Sequence, residues 1–323
     1  MSAGGDHADD VRSAAVALAL LPLLGLLACV PEVGPPPSRL LAPRVVAVTA
    51  DPPEVAPGES VRLRLWVAKP DGPATDAELA DARWHFCTAP TPPTEDNSVS
   101  ARCLVDPAAL LPIADTGPEV VAEVPAEACA WFGPQAPPVG IDDPPARPRD
   151  ADVTGGYYQP LRIVTAAVAR PTVAAVRIDC GLATAPPEIA ADFRRRYRRN
   201  RPPPPPQIVL TDAEQPLPAD ALRTGQSLRL SVRVPTIAAE DYLRFDPASQ
   251  TLALTRETLR VSWFTAPGML VHSVTPLDDL GTGEWAADNL LELPSQAGPL
   301  VLWGVLRDSR GAASVRSSVL PVR

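Results

Sequence analysis

Side chains able to do chemistry are few in this sequence, and they do not gather. His85 and His272 lie far apart along the chain, so a shared metal ion or a catalytic pair would need two distant parts of the fold to dock closely. Asp142, Asp143, Asp150 and Asp152 crowd into one stretch and could offer hard oxygen ligands to Ca²⁺; a solvated proline-rich loop would carry the same acids with no metal. Trp131, Tyr157 and Tyr158 flank that stretch and could stack on a sugar or pack a small core. Arg194, Arg195, Arg196, Arg198, Arg199 and Arg201 are the one strong positive cluster. They could grip lipopolysaccharide phosphates or anionic lipid head groups, or pair with nearby acids on a solvated helix face. The sequence lacks the spacings of a nucleophile elbow, a zinc-protease helix, a phosphate loop or an EF-hand. No catalytic residue, metal or cofactor is therefore expected.

Composition says what must hold these residues. Pro occurs 42 times in 323 residues, and 46% of residues are hydrophobic. Proline removes a backbone donor and stops helices, so short strands joined by stiff loops around a real core are favoured. The N-terminus has its own pattern. An apolar run from Ala14 follows Arg12 and ends at Leu26-Leu27-Ala28-Cys29, the order of a secretory signal too short to span a bilayer. A cysteine directly after the small residue resembles the lipobox of bacterial lipoproteins. The resemblance implies that residues 1–28 are a signal peptide and that Cys29 is acylated as the mature N-terminus. Val30 in the next position implies release to the outer membrane, facing periplasm or cell surface. Losing three Asp and one Arg with the leader takes the net charge from -9 to -7, which argues against a nucleic-acid partner. Cys87, Cys103, Cys129 and Cys180 remain as an even set without a CxxC pair, so disulfides are expected rather than zinc. Three pairings are open; Cys87 with Cys103 and Cys129 with Cys180 is the favoured one.

Residues 29–43 read as a proline-rich tether. Arg44 to Ala50 then reads as a strand, Pro52-Pro53-Glu54-Val55-Ala56-Pro57-Gly58-Glu59 as a turn cluster, and Ser60 to Ala68 as an alternating strand. The alternation puts Val61, Leu63, Leu65 and Val67 on one face and Arg62, Arg64 and Trp66 on the other. This opening resembles bacterial immunoglobulin-like domains and is similar to envelope lipoproteins of high-GC Gram-negative bacteria, most of which have no assigned activity. Internal repetition points the same way. Gly58–Leu63 recurs as Gly225–Leu230, Phe86–Pro90 as Trp263–Pro267, Val121–Ala128 as Leu290–Ala297, and Pro160–Arg177 as Pro299–Arg316. The equal spacing in the last match predicts one hairpin of fixed loop length in both copies.

The fold expected is all-β: two tandem immunoglobulin-like antiparallel β-sandwiches joined by a short helix and a proline-rich linker. Residues 44–185 form the first domain with an insertion at 129–156. Residues 186–206 form the linker, with Ile189, Phe193 and Tyr197 on one helix face and Pro202–Pro206 as a spacer, and residues 207–323 form the second domain. Extra residues around Tyr242 and Phe245 set the second copy apart. Trp66 is expected to be covered by the insertion or by the second copy, and exposed Trp66 would be a binding patch. The function expected is that of a lipid-anchored cell-envelope protein with a non-catalytic binding or structural role. Its partners would be the membrane, through the anchor, and other envelope proteins or glycans. A carbohydrate-binding adhesin, or an envelope hydrolase with its site at 129–156, are the alternatives.

Overall fold

The computed structural model describes residues 34–91, 95, 98–133, 154, 156–182, 185–212 and 215–323. The chain divides into two compact units, residues 1–36 and 37–323, and every element named below belongs to the second.

The first sandwich is built from β1 (Arg44–Asp51), β2 (Glu54–Val55), β3 (Ser60–Lys69), β4 (Gly72–Pro73), β5 (Arg83–Cys87), α1 (Arg102–Val105), β6 (Leu110–Thr116), β7 (Glu119–Glu123), α2 (Ala128–Phe132), β8 (Gly156–Val164) and β9 (Thr172–Asp179). In one sheet β3 pairs with β1 on one side and with β7 and β4 on the other; the second sheet runs β2-β9-β8-β5-β6. All pairs are antiparallel except the short β2 beside β9. The period-2 pattern is realised as read: Val61, Leu63, Leu65 and Val67 point inward against Trp84, Phe86, Leu161 and Ile178.

The second sandwich contains β10 (Gln207–Asp212), β11 (Gln215–Pro216), β12 (Ser227–Pro235), β13 (Asp241–Asp246), β14 (Thr251–Arg256), β15 (Leu259–Ala266), β16 (Met269–Leu270), β17 (Val274–Pro276), β18 (Asp278–Asp279), β19 (Glu284–Glu292), β20 (Gly298–Asp308) and β21 (Ala313–Val322). Its sheets run β11-β10-β12-β19-β16 and β17-β15-β20-β21. The first repeats β1-β3-β7 and the second repeats β6-β5-β8-β9, so both copies share one immunoglobulin-like strand order. The extra residues around Tyr242 and Phe245 form a separate hairpin, β13–β14.

The repeated turn has a physical cause. Gly58 (φ 81°) and Gly225 (φ 72°) both take the left-handed conformation that side chains disfavour. The next residue in each copy then accepts an equivalent bond: Val124 N–H donates to Glu59 O, and Leu293 N–H to Gln226 O. The fourth match is corrected. Ile163 is the last β8 residue to pair with β9, at Thr172, with 164–171 between them, whereas Arg307 pairs with Ala313 and leaves only 308–312 between. The second loop is tightened because Asp308 Oδ1 accepts from both Arg310 N–H and Ala312 N–H.

The sandwiches pack directly on one another. The outer face of the β17-β15-β20-β21 sheet carries Val301, Trp303 and Val305, which close against Val46, Ala47 and Ala68 of the first sandwich. The second copy is thus what covers Trp66, which is half-buried in this cluster and donates from Nε1 to Thr49 Oγ1 at 3.0 Å. Ser38 and Leu40 join the same body: Leu40 N–H donates to Thr265 O, and Thr265 N–H to Ser38 O. That stretch of the expected tether therefore extends the β15 edge.

The linker packs too. α3 (Pro187–Arg196) begins on proline and stacks Phe193 on Tyr197, with ring centroids 4.6 Å apart, against Leu243 of β13. Of the five prolines that follow, Pro203 and Pro206 are buried, the period of three of an extended proline helix laid on one face. Ser314 Oγ donates to Pro204 O at 2.8 Å. The expected spacer is therefore packed through Pro203 and Pro206 and bonded to the second sandwich at Pro204.

Candidate functional site

The residues singled out in the sequence go to separate places. His85 sits half-buried between inward Trp84 and Phe86, and burial, then the nearby Arg162 charge, holds its pKa down. His272 is on the second sandwich, where its backbone N–H and C=O bond the Asn289 side chain. Tyr157 is in the first core, while Tyr158, on the opposite face of β8, turns towards the second sandwich. There its hydroxyl donates to Arg310 O at 3.2 Å, with the Arg177 guanidinium 5.7 Å from the ring centre. Trp131 lies on α2, half-buried and edge-on to Phe132. These aromatics make no common platform for a sugar. Asp142, Asp143, Asp150 and Asp152 lie outside the described residues, as does Cys29. Among the described residues no group of three or more His, Cys, Asp or Glu is placed to hold a metal.

Cys87 is joined to Cys103 and Cys129 to Cys180, with Cα separations of 5.5 and 5.6 Å. The second bridge ties α2 to the residue after β9. Of the arginines, Arg195 and Arg196 pair with Asp192, Arg199 with Glu59, and Arg201 with Glu240. Arg194 and Arg198 are exposed, and Arg198 donates to Tyr197 O. The cluster is thus largely a solvated face paired with acids.

The densest chemistry lies where the two sandwiches and the linker meet, and the sequence reading did not find it. Glu54 of β2 is fully buried. Its carboxylate accepts from Tyr197 Oη at 2.8 Å and from Asn200 N–H at 2.8 Å, and lies 3.2 Å from Arg177 Nε. Arg310, from the β20–β21 loop, donates to Glu257 at 2.6 Å, to Glu240 at 2.9 Å and to Arg198 O at 3.0 Å. Asn200 Nδ2 completes the chain by donating to Asp308 at 3.1 Å. Burial raises the pKa of Glu257 and Asp308 and lifts the Tyr197 phenol to about 12. Each carboxylate is nonetheless met by several donors, so buried charge is compensated charge. Gly156 leaves the room this requires, since a Cβ built there would collide with the Arg177 guanidinium. The network holds three segments together, and Asp308 also lines a hollow of about 290 Å³ with Tyr158, Thr258, Arg260, Ser309 and Gly311.

Comparison with known proteins adds little. No family model matches the sequence, and no curated protein matches it. Among solved structures, native E. coli alpha-2-macroglobulin aligns over 90% of this chain at 10% identity and a TM-score of 0.23; the chain spans 17% of that protein's length. Fibronectin(III)-like modules of Clostridium thermocellum CbhA align over 85% of this chain and 93% of theirs, at 10% identity and 0.19. The C-terminal domain of Streptococcus pyogenes AspA aligns over 88% and 99%, at 8% and 0.19. At such TM-scores the likenesses carry no argument, and the fold assignment rests on strand order and pairing.

Proposed function

We propose that this chain is a lipid-anchored protein of the bacterial cell envelope, at the outer membrane, that binds or positions a partner without transforming it. The observation that carries the non-catalytic reading is the junction. The densest constellation of ionisable groups in the described residues pairs Glu54, Arg177, Tyr197, Asp308 and Arg310, with the Asn200 amide between them, with one another and with Glu257 and Glu240. Chemistry that a site would use is thereby spent on holding two sandwiches in one arrangement. Two joined disulfides suit an oxidising compartment, as the leader and Cys29 suggest.

The anchor is tested by Cys29→Ser. The variant should lose detergent-phase partitioning and appear in the periplasmic fraction, with a mature N-terminal mass lacking acyl chains. Unchanged partitioning and mass would remove the lipid anchor from the proposal.

A further inference from the structure

One flank of the second sandwich has the build of a docking groove. A hollow of about 310 Å³ opens between β17 of one sheet and β18–β19 of the other, where the chain crosses between sheets at Leu277. Val274, Leu280 and Ala286 supply its apolar lining, and Asp278 and Asp288 its acids. The apolar ground continues beyond it through Val271, Met269 and Leu290, and Val271 and Val274 are 54% and 51% exposed. Such contiguous exposure is uncommon on a soluble surface without a partner.

The rim selects the partner's charge. Glu284 meets Arg233 at 3.8 Å and Asp288 meets Arg229 at 2.8 Å, whereas Asp278 and Asp279 are exposed and, among the described residues, in no ion pair. The backbone selects its shape. Trp263 N–H donates to Ser273 O and Leu277 N–H to Leu259 O, so the odd-numbered residues of this stretch face β15. Val274 N–H and C=O and Pro276 C=O therefore point outward along the edge, open to an extended chain. Proline at 276 withholds a second donor, which limits the pairing to a short segment.

We propose that this groove binds a short extended segment of a partner protein, apolar at its centre and flanked by basic residues. The proposal deepens the binding reading above and rests on it, independently of the anchor.

The test uses the full chain carrying Cys29→Ser and three capped peptides: Arg-Leu-Val-Leu-Arg, Glu-Leu-Val-Leu-Glu and Arg-Ser-Gly-Ser-Arg. Methyl-labelled Val, Leu and Met report the position of binding, and titration at low salt reports affinity. The first peptide should shift the Val271, Val274 and Leu280 methyls saturably. The acidic peptide should bind about tenfold more weakly or worse, and the polar one should not bind. Val271→Ser with Leu280→Ser should abolish the Val274 methyl shift and the saturable titration, whereas Leu254→Ser, on the β13–β14 hairpin, should not. These are exposed positions, and an unchanged melting temperature confirms that each variant folds. No saturable binding, equal binding of the acidic peptide, or binding indifferent to the double substitution would each overturn the proposal. A detergent-partitioning wild-type chain with a peptide-blind groove would sink this inference and leave the anchor standing; the converse result would sink only the anchor.

Discussion

Replacing Arg310 with Met should cost this fold about 3–5 kcal/mol, the range for breaking a buried ion pair from one side. Arg310 is 2% exposed and Glu257 is 1% exposed, so water cannot replace the lost partner. Methionine fills much of the space of the methylene stem but supplies none of the donors that reach Glu257, Glu240 and Arg198 O. Glu257 would keep only the Glu240 N–H, at 2.9 Å. An exposed pair such as Arg195 with Asp192 is worth about 0–1 kcal/mol, so Arg195→Met is the matched control. At an unfolding entropy of about 2.1 cal/mol/K per residue, a chain of this size shifts by about 1.7 °C per kcal/mol, so the Arg310 variant should melt about 5–8 °C lower.

The loss should also depend on pH in a stated direction. Burial already holds the Glu257 carboxyl above its usual range, and Arg310 opposes that rise. Without Arg310 the folded-state pKa climbs further above the unfolded value of about 4.3. A carboxyl that binds its proton more tightly when folded loses stability as pH rises. The deficit should be complete above the raised pKa and shrink as pH falls towards the unfolded one. Urea melts at about pH 7.5 and about pH 5 measure both effects. A deficit under about 1 kcal/mol at the higher pH, or one that does not shrink at the lower, would refute a buried, compensated junction.

Three further outcomes are expected. Trp303→Ala removes a side chain 1% exposed between the sandwiches and should cost about 3–5 kcal/mol, with hydrogen exchange rising in β1 as well as β20. Cys129→Ala with Cys180→Ala opens a bridge spanning 51 residues and should cost about 4 kcal/mol in the chain-entropy model, against about 3 for the Cys87–Cys103 span of 16, read from denaturant melts. Trypsin should nick at exposed Arg194, Arg195 or Arg196, yet the two pieces should elute together from a native sizing column, because Tyr197, Asn200 and Pro204 each bond a sandwich.

How much of this was legible in the sequence depended on the range of the interaction. Strand alternation is local, and Val61 to Val67 shows it without help from the fold. The turn glycines 58 and 225 are local too, which is why the repeat they open was readable. Position 163 against 307 was not, because hairpin register is set by the loop's own bonds and not by the spacing of matched residues. A signal for the inter-sandwich face was present and unused: β20 reads Leu300-Val301-Leu302-Trp303 without alternation, the mark of a strand covered on both faces. Cross-sheet covering of this kind explains why Trp66, facing away from its own core, is half-buried.

The junction was hidden for a different reason. Glu54 and Tyr197 are 143 positions apart, and Asn200 and Asp308 are 108 apart, so no window of sequence contains the network. Taken singly, Glu54 looks like one more polar residue in a proline-rich turn, and Arg310 like one of two ordinary residues before Gly311. Their meaning follows from where the backbones come together. The first sandwich contributes Glu54 and Arg177, the linker Tyr197 and Asn200, and the second sandwich Asp308 and Arg310. Glu54 meets Arg177, and Arg310 meets Glu257 and Glu240, within one sandwich, but a sandwich without the linker and the other copy would lose the bonds that Tyr197 and Asn200 make to Glu54 and Asp308 and the approach of Arg310 to Glu54. The apolar cluster around Trp303 likewise has a wall from each copy, and Ser38–Leu40 bonds β15 just before the chain enters the first sandwich. Two repeats that could each be an independent domain by length and strand order are therefore coupled by charge, packing and chain path. That coupling makes separation of the copies an expensive event, and it fixes the relative position of any surface that either one presents.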